Sequence, residues 1–215
     1  MARFRLSITM SLDGYVAGPN QGVDDPLGEG GGALHDWAFA VRSFRAAHGM
    51  EGGETGVDDE VVAEWLTNVG ATVMGRNMFG GGPGPWADDP PWNGWWGDDP
   101  PFGTPVFVLT HHAREPLPMR GGTTFHFVTD GIEAALEQAM EAAGGKDVAL
   151  GGGADVARQY LAAGLIDDME IHVVPVLLGA GERLFDLDPG WQARYEPTRL
   201  VGSPAASHFR YRRVR

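Results

Sequence analysis

The sequence predicts an α/β fold with three layers: helices cover both faces of a mostly parallel central sheet, and an antiparallel strand joins that sheet near the C-terminus. Two observations lead to this prediction. Segments with the periodicity of strands and of helices alternate through most of the chain, and one strand runs through three glycines directly into a helix. A length of 215 residues suits one domain of this class, so we expect residues 1–215 to form a single domain.

The N-terminal part is predicted to form a strand and then two helices. Apolar residues alternate with polar ones at its start, as in a strand with one buried face: Phe4, Leu6, Ile8 and Met10. Asp-Gly and Ala-Gly-Pro-Asn mark residues 11–20 as a loop. Residues 33–47 carry one apolar stripe at helical spacing, and residues 58–69 are predicted to form a second helix with acids in its first turn.

The middle of the chain is predicted to supply three short buried strands, at residues 71–75, 104–110 and 123–129. A helix follows the last of them, because apolar residues recur at helical spacing over residues 132–143. We expect Asp130 or Thr129 to cap this helix and the following Gly-Gly pair to end it.

The C-terminal part is predicted to complete the sheet. A strand at residues 147–150 passes through three glycines into a helix at residues 154–164. Residues 169–179 are predicted to form a long strand, in which Pro175 indicates a sheet edge or a bulge. Residues 207–214 alternate as a last strand, whose edge is available for pairing with a second copy. In such a sheet, ligands bind at the carboxyl ends of the strands.

Composition excludes several classes of function. The net charge of −13 opposes binding to a nucleic-acid backbone, so we expect no nucleic-acid partner. No apolar run reaches the roughly 18 residues of a membrane span, and the N-terminus does not have the pattern of a secretory signal, so we expect no membrane association and a cytoplasmic location. The chain has no cysteine, which excludes disulfides, thiol nucleophiles and cysteine-containing zinc sites.

Groups that bind anions follow three of the predicted strands. Gly151, Gly152 and Gly153 open a helix, Gly75 precedes Arg76, and residues 110–114 add hydroxyl, imidazole and guanidinium groups. Because strand ends meet at one edge of the sheet, this pattern favours a polyphosphate ligand. The alternative is that the glycines only turn the chain, since neither the Rossmann nor the P-loop fingerprint is satisfied.

Metal binding is not expected. Adjacent strand residues point to opposite faces, so His111 and His112 do not share an ion. The pairs at residues 88–89 and 98–99 lack the spacing of a calcium loop, and each is followed by proline, so we interpret them as acidic turns.

Five motifs in order resemble the dihydrofolate reductase-like family, which includes the reductase domain of the bacterial bifunctional riboflavin-biosynthesis deaminase-reductase. They are SITMSLDGYVAGPN, VMGRNMF, VFVLTHH, ALGGGADVARQYL and IHVVPVLLGAGERLF. The resemblance covers about residues 4–213. It implies a dihydrofolate reductase-like fold, NADPH as the cofactor, a small-molecule substrate and a homodimer.

The resemblance also implies roles for individual residues. The phosphates of the cofactor would meet Gly75, Arg76 and Asn77, and its adenosine end with the 2′-phosphate would meet Thr110, His111, His112 and Arg114. The pyrophosphate would meet Gly151, Gly152, Gly153 and Ala154, and the nicotinamide would border Val16, Ala17 and Gly18.

On the substrate side, Asp13 is the first candidate for a catalytic proton donor, because partial burial would raise its pKa. The alternative is an ordinary Asp-Gly turn. By resemblance, Asp36 is the nearest equivalent of the carboxylate that binds a pterin. Leu150 stands where the riboflavin reductase usually has an acidic residue before its paired glycines.

Residues 80–103, which we call the tryptophan-rich segment, contain WADDPPW and WGDDPPF. We expect this segment to form a semi-rigid lid whose aromatic side chains face a planar substrate: Trp86, Trp92, Trp95, Trp96 and Phe102. The alternative is that it packs on the body of the domain or on a partner subunit. Trp37 is a further candidate for the substrate pocket, with core packing as the alternative.

The predicted function is NADPH-dependent hydride transfer to a small heterocyclic or carbonyl-bearing substrate, such as a pterin or a pyrimidine. Two alternatives stay open. One is an NADPH-binding protein without turnover that acts as a sensor or interaction module, and the other is a flavin-using redox protein. The fold alone does not distinguish them.

Overall fold

The computed structural model describes residues 2–87, 91–186 and 194–214. The strands are β1 (Phe4–Ser11), β2 (Tyr15–Ala17), β3 (Val69–Gly75), β4 (Pro105–Leu109), β5 (Leu117–Pro118), β6 (Thr124–Val128), β7 (Asp147–Gly152), β8 (Asp168–Val174), β9 (Glu182–Arg183), β10 (Tyr195–Gly202) and β11 (Ser207–Arg213). The helices are α1 (Asp36–Ala40), α2 (Arg42–Ala47), α3 (Val57–Leu66), α4 (Arg76–Phe79), α5 (Ile132–Ala142) and α6 (Ala154–Ala162), with 3-10 turns at Gly31–Leu34 and Arg120–Gly122.

Over the described residues, the main sheet has the strand order β10-β11-β8-β1-β7-β3-β4-β6-β5. The pairs from β8 to β6 are all parallel, whereas β11, β10 and β5 add antiparallel pairs at the two sides. The chain therefore has the predicted α/β fold, with a mostly parallel sheet and an antiparallel C-terminal strand. The ends of β1, β3, β4 and β7 lie at one edge of this sheet.

One face of the sheet is covered by α5 and α6. The central strands are parallel and buried, so their side chains on this face are almost entirely apolar. Phe4, Leu6 and Val73 are fully buried here against Ala139 of α5 and Ala157 of α6. Tyr160 anchors α6 to α5, because its hydroxyl donates a 2.7 Å hydrogen bond to the carbonyl of Ile132.

The opposite face is covered in two halves by different kinds of structure. Helices α1 and α3 pack over β8 and β11, where Trp37 and Val62 contribute to a core with Val174. Over β3, β4 and β6, the cover consists of α4 and the tryptophan-rich segment. The apolar side chains of this second half form one cluster: Met74, Phe79, Val106, Val108 and Phe125, joined by the partly buried Trp86, Trp92, Trp96 and Phe102. The segment thus occupies the layer in which a covering helix was expected.

The helix predicted at residues 33–47 is divided in the structure. A 3-10 turn comes first, and α1 and α2 are separated at Val41, whose extended backbone (ψ 150°) forms an isolated bridge with Glu54. The apolar stripe is real, but pairing with a distant loop residue interrupts the helix. The expected cap of α5 is also wrong, because Gly131 occupies the N-cap position and no side chain caps it.

Two predictions about the C-terminal strands are wrong. Strand β8 ends at Val174, so Pro175 lies beyond it, and β8 is an interior strand between β1 and β11. Strand β11 is paired on both sides, with β8 and β10, and therefore has no free edge for a second copy. Strand β10 was not predicted; it contains Pro197, and its pairing with β11 shifts register between Pro197 and Arg199.

No helix in the described part of the chain is both long and apolar enough to cross a membrane.

Candidate active site

Glycines at the ends of β3 and β7 form a cradle at the carboxyl edge of the sheet. A Cβ atom added to Gly75 would lie 2.7 Å from Cγ2 of Val156 and 3.6 Å from the backbone nitrogen of Gly153. Only glycine therefore permits this approach of β3 to the start of α6. A Cβ atom added to Gly153 would meet nothing within 4 Å, so the space beside this residue is open. The Gly152–Gly153 peptide is cis.

The amino end of α6 opens onto this cradle. Gly153 is its N-cap, no side chain caps it, and its first-turn backbone N–H groups have no partners within the helix. Such an end is favourable for a phosphate. An acid in the first turn, Asp155, opposes an anion, but its side chain is exposed and pairs with Arg158 at 3.6 Å.

Arg76 begins α4, directly beside the cradle. Its guanidinium donates through Nε to the carbonyl of Gly80 at 3.0 Å and lies close to Oγ1 of Thr110 at 3.4 Å, which joins the end of β3 to the end of β4. The Cζ atom of Arg76 is 3.2 Å from the ring centroid of Trp86. Trp86 in turn donates through Nε1 to the carbonyl of His112 at 2.8 Å.

Arg114 reaches the same indole from the loop after β4. Its Cζ atom lies 5.1 Å from the Trp86 ring, and it donates to the carbonyl of Trp92 at 2.6 Å and to Oδ1 of Asn93 at 3.0 Å. Burial lowers the pKa of both arginines, and the charge of Arg114 further lowers the pKa of Arg76. Among the described residues, neither guanidinium has a carboxylate partner. Over the described part of the chain, these two positive charges therefore have no carboxylate in contact with them.

The other residues expected to meet the cofactor occupy the same edge. Thr110 is buried, and its Oγ1 accepts a 3.1 Å hydrogen bond from the backbone N–H of His112. Asn77 and His111 are exposed. A Cβ atom added to Gly151 would lie 3.1 Å from Sδ of Met78, so this glycine lets α4 approach β7. Ala154 is buried at the first position of α6.

Val16, Ala17 and Gly18 line the loop after β1. Val16 and Ala17 are buried, and the short strand β2 pairs with β9. A Cβ atom added to Gly18 would lie 2.2 Å from the carbonyl oxygen of Glu29, so the close packing of two loops explains this glycine. This loop follows β1, which pairs directly with β7 of the glycine cradle.

Asp13 does not have the properties expected of a proton donor. Its carboxylate accepts hydrogen bonds from the hydroxyl of Ser11 (2.6 Å) and from the backbone N–H groups of Leu178 (3.1 Å) and Gly179 (2.7 Å). The Ser11 bond is the main cause that lowers its pKa from 3.8 to about 2. The expectation of a raised pKa is wrong, because the hydrogen bonds to the carboxylate favour its ionised form more than its partial burial disfavours that form. Its geometry is that of a clamp between two loops.

Trp37 lies in the core rather than in a pocket. Its side chain is buried between α1 and the sheet, and Nε1 donates a 3.1 Å hydrogen bond to Oγ1 of Thr9. Its ring packs on His172 and His208, with centroids 4.7 Å and 5.0 Å away. The structure thus has the core packing that was the alternative for Trp37, and its contact with a substrate stays a prediction. Asp36, the first residue of α1, is exposed, and its contact with substrate stays a prediction.

His35 was not identified from the sequence. It precedes α1 and stacks on Phe39 with centroids 5.9 Å apart, and its Nδ1 atom is buried without a hydrogen-bond partner. Burial lowers its pKa, which favours the neutral imidazole. The sequence signal was its position four residues before an aromatic residue on the same helical face.

The described residues of the tryptophan-rich segment pack on the body of the domain, which was the alternative to a lid, and contact of their aromatic side chains with a substrate stays a prediction. Trp92 donates through Nε1 to the carbonyl of Phe79 at 2.8 Å, and Trp96 packs on Phe102 and Phe125. Trp95 lies against Gly80, where an added Cβ would be 2.7 Å from its ring. The segment covers the part of the sheet around β4, whereas the loop with Val16 and Ala17 follows β1. Three strand spacings of about 4.8 Å, or roughly 14 Å, separate these two strands. Asp88 and Asp89 lie outside the described residues.

Within the described ranges, no group of histidine and carboxylate side chains is arranged to hold a metal ion. His111 and His112 are not part of any such group.

Comparison with known proteins agrees with this architecture. A family model described as "RibD C-terminal domain" matches residues 3–201. A putative riboflavin biosynthesis protein from Shewanella sp. PV-4 is 23% identical, with a TM-score of 0.63 and coverage of 99% of each chain. No curated protein matches the chain.

Two further solved structures share the fold. The dihydrofolate reductase from Enterococcus faecalis, complexed with NADP(H), is 12% identical with a TM-score of 0.52, over 98% of this chain and 96% of that one. The deaminase and 5-amino-6-(5-phosphoribosylamino)uracil reductase from Thermotoga maritima is 12% identical with a TM-score of 0.58, and the match covers 99% of this chain and 57% of that protein. At these identities, the likeness shows the fold alone. Because the family model spans almost the whole sequence, the chain belongs to the family of RibD C-terminal domains and has a dihydrofolate reductase-like fold.

Proposed function

We propose that the protein is an NADPH-dependent reductase that transfers a hydride to a small, pyrimidine-like heterocycle. The observation that carries this proposal is the glycine cradle, in which Gly75 and Gly153 open the end of the sheet onto the amino end of α6. Two arginines without carboxylate partners in the described chain lie beside it. Membership in the RibD C-terminal domain family supports an oxidoreductase, and the printed activity of the Thermotoga maritima relative supports a pyrimidine substrate.

The cofactor, when bound, supplies the hydride; the protein binds and orients it. The backbone N–H groups at the start of α6 would hold its pyrophosphate, and Arg76 with Thr110 would hold its adenosine end. Val16 and Ala17 would border its reacting ring, and their burial keeps water from that side of the cleft. Asp13 fixes the loop after β1 by binding the loop after β8.

The position of the glycines explains why a dinucleotide suits this edge. The cradle at β3 and β7 lies between the loop after β1 on one side and the loop after β4 on the other. A mononucleotide phosphate would use only the amino end of α6. A ligand that uses all these strand ends is extended and carries anionic groups at its middle and at one end, as NADPH does.

Titration of the full chain with NADPH and with NADH tests the cofactor assignment. Trp86 lies against Arg76, so we expect binding to quench tryptophan fluorescence, with NADPH binding more tightly. Absorbance at about 340 nm then follows NADPH oxidation in the presence of amino-substituted uracils, pterins or flavins. Binding without oxidation by any of these acceptors would instead support the alternative of an NADPH-binding protein without turnover. Absence of binding by a folded sample would contradict both functions.

We also propose that the protein forms a homodimer. The resemblance implies one, and the sheet presents an apolar groove of about 420 Å³ on β8, β10 and β11 that involves Ile171, Phe185, Phe209 and Tyr211. Phe185 is 51% exposed and lines this groove with other apolar residues, an arrangement that a second copy could cover. The mass in solution, measured by light scattering, tests this proposal, and a monomer at micromolar concentration would contradict it.

A further inference from the structure

The tryptophan-rich segment holds two arginines at one indole ring. The Cζ atoms of Arg76 and Arg114 lie 3.2 Å and 5.1 Å from the centroid of Trp86. Both distances are within the range of cation–π attraction. Trp86 is itself fixed, because Nε1 donates to the carbonyl of His112 and the ring packs edge-on against Phe127 with centroids 4.9 Å apart. The ring therefore has one position relative to the ends of β3 and β4.

Backbone atoms of the same segment complete the arrangement. Arg114 donates to the carbonyl of Trp92, and Trp92 is held by its own bond to the carbonyl of Phe79. Arg76 donates to the carbonyl of Gly80. These bonds use part of the hydrogen-bonding capacity of each guanidinium, which has five N–H donors in a planar fork. Arg76 also donates to Thr110 and to the carbonyl of Gly81, so it uses three of its five donors and Arg114 uses two. The remaining donors have no partner among the described residues.

Two cations beside one ring repel each other, and each is partly desolvated. The described residues place no carboxylate in contact with either one, although the protein as a whole has a net charge of −13. A dianion would relieve the repulsion and use the free N–H donors in charge-assisted hydrogen bonds. A phosphomonoester is such a dianion, and a hydroxyl group is not.

We propose that Trp86 is a positioning residue for a phosphomonoester site, in which it aligns Arg76 and Arg114 to bind the 2′-phosphate that distinguishes NADPH from NADH. This inference rests on the proposed function, because the site lies at the adenosine end of the proposed cofactor cleft. It assigns the tryptophan-rich segment to cofactor selectivity, which differs from the expected role as a substrate lid.

The test compares the affinities of the full chain for 2′,5′-ADP and 5′-AMP, which differ by the 2′-phosphate alone. Isothermal titration calorimetry is suitable because its signal does not depend on tryptophan. Trp86→Leu should weaken 2′,5′-ADP binding about tenfold and change 5′-AMP binding less than about twofold. Trp86→Phe keeps an aromatic face and should recover most of the loss. Trp96→Leu is the matched control, because Trp96 lies in the same segment and contacts neither arginine.

Arg114→Gln tests the same phosphate site without changing the indole of Trp86. This variant should also weaken the binding of 2′,5′-ADP more than that of 5′-AMP. Equal losses for both probes in Trp86→Leu, or no loss for either, would overturn the inference and leave the proposed reductase intact. Equal affinity of the unmodified protein for 2′,5′-ADP and 5′-AMP would also overturn the inference and leave the proposed reductase intact. Failure of the unmodified, folded protein to bind either probe would overturn the inference together with the proposed cofactor.

Discussion

The carboxylate of Asp13 accepts a 2.7 Å hydrogen bond from the backbone N–H of Gly179, so the loop after β1 is tied to the loop after β8. The same carboxylate accepts a bond from Leu178, whose side chain lies beside the turn that precedes α1. Asp13 thus joins elements that are distant in sequence at one side of the cleft. This clamp and the glycine cradle are separate features, and substitutions can distinguish them.

Asp13→Asn should destabilise the protein in a pH-dependent manner. The pKa of Asp13 is depressed from 3.8 to about 2, so its contribution is fully present above pH 3.8 and is lost as the pH falls toward 2. Urea unfolding of the two proteins between about pH 3 and pH 7 measures the difference. We expect a constant difference above about pH 5 that shrinks below about pH 4. A difference that grows on acidification would contradict the role as an ionised clamp.

Gly153→Ala should weaken NADPH binding without loss of stability. The added methyl group meets no atom within 4 Å, and the backbone of Gly153 has a negative φ that alanine adopts readily. The methyl group would occupy the open space beside the amino end of α6, so we expect roughly tenfold weaker binding of NADPH and an unchanged melting temperature. Thermal unfolding and a cofactor titration measure the two effects. Unchanged NADPH affinity would show that the cradle does not hold the pyrophosphate.

Gly75→Ala tests the second glycine of the cradle, which is closely packed where Gly153 is open. Its methyl group would lie 2.7 Å from Val156, so β3 or α6 must shift. We expect loss of stability of about 1–3 kcal/mol together with weaker NADPH binding. Restoration of stability by Gly75→Ala combined with Val156→Ala would identify this contact as the cause. If Gly75→Ala alone is as stable as the unmodified protein, close packing of β3 on α6 is not what requires glycine at this position.

Trp37→Phe should affect stability and leave the site unchanged. The variant loses the hydrogen bond to Thr9 inside the core, which we expect to cost about 1–3 kcal/mol. The affinity for NADPH, and KM with any confirmed substrate, should stay the same, because Trp37 is buried on His172 and His208. A changed KM at unchanged stability would restore the assignment of Trp37 to the substrate pocket.

The buried pair His172 and His208 predicts a second pH effect. A chain of short contacts runs from Ser7 through both imidazoles to Asp58, with each step at 2.8 Å. Burial, followed by the charges of His208 and Arg210, lowers the pKa of His172 from 6.5 to about 3. Unfolding lets this histidine bind a proton below pH 6.5, so its contribution to stability is present above pH 6.5 and is lost on acidification toward pH 3.

Urea unfolding at about pH 7.5 and pH 5 measures this effect, which reaches up to about 1.4 kcal/mol for each pH unit below 6.5. His172→Asn should reduce the loss of stability between the two pH values, even if the variant is less stable at both. His48→Asn, at an exposed histidine on the end of α2, serves as the control and should keep the full loss. An identical pH dependence in His172→Asn and the unmodified protein would show that His172 is protonated in the folded state.

The sequence predicted those parts of the fold that depend on local pattern. Strand β1 and the unit of strand, glycines and helix from Asp147 to Ala162 were confirmed, because their signals lie in adjacent residues. The single buried face expected for β1 holds only at its start: Ile8 and Met10 are half-buried, whereas Thr9 and Ser11 are buried, because this interior strand is covered on both faces. The break at Val41 was not predictable in this way, since it depends on pairing with Glu54. Strand β10 was missed because its residues are mostly polar, contain a proline, and become a strand only beside β11.

For the site, sequence motifs identified the strand ends but not the conformations of the side chains there. The candidate anion-binding residues Gly75, Arg76 and Thr110 lie close together at the ends of β3 and β4. The path of the tryptophan-rich segment was not predictable, because it depends on which apolar face of the sheet lacks a helix. The pKa of Asp13 was predicted in the wrong direction because the prediction considered burial and not hydrogen bonding. The nearby hydroxyl of Ser11 turns toward the carboxylate, and two backbone N–H donors come from more than 160 residues away in the sequence.

The interior position of β11 has a consequence for how the protein is made. This strand follows all the other sheet strands in the chain, yet it lies between β8 and β10. During synthesis, β8 therefore has an open edge until residues 207–213 have emerged, and His208 cannot yet meet Asp58 at the start of α3. A nascent chain with an unpaired strand edge is prone to association with its neighbours. Production in cells should consequently depend on how quickly this last segment follows the rest.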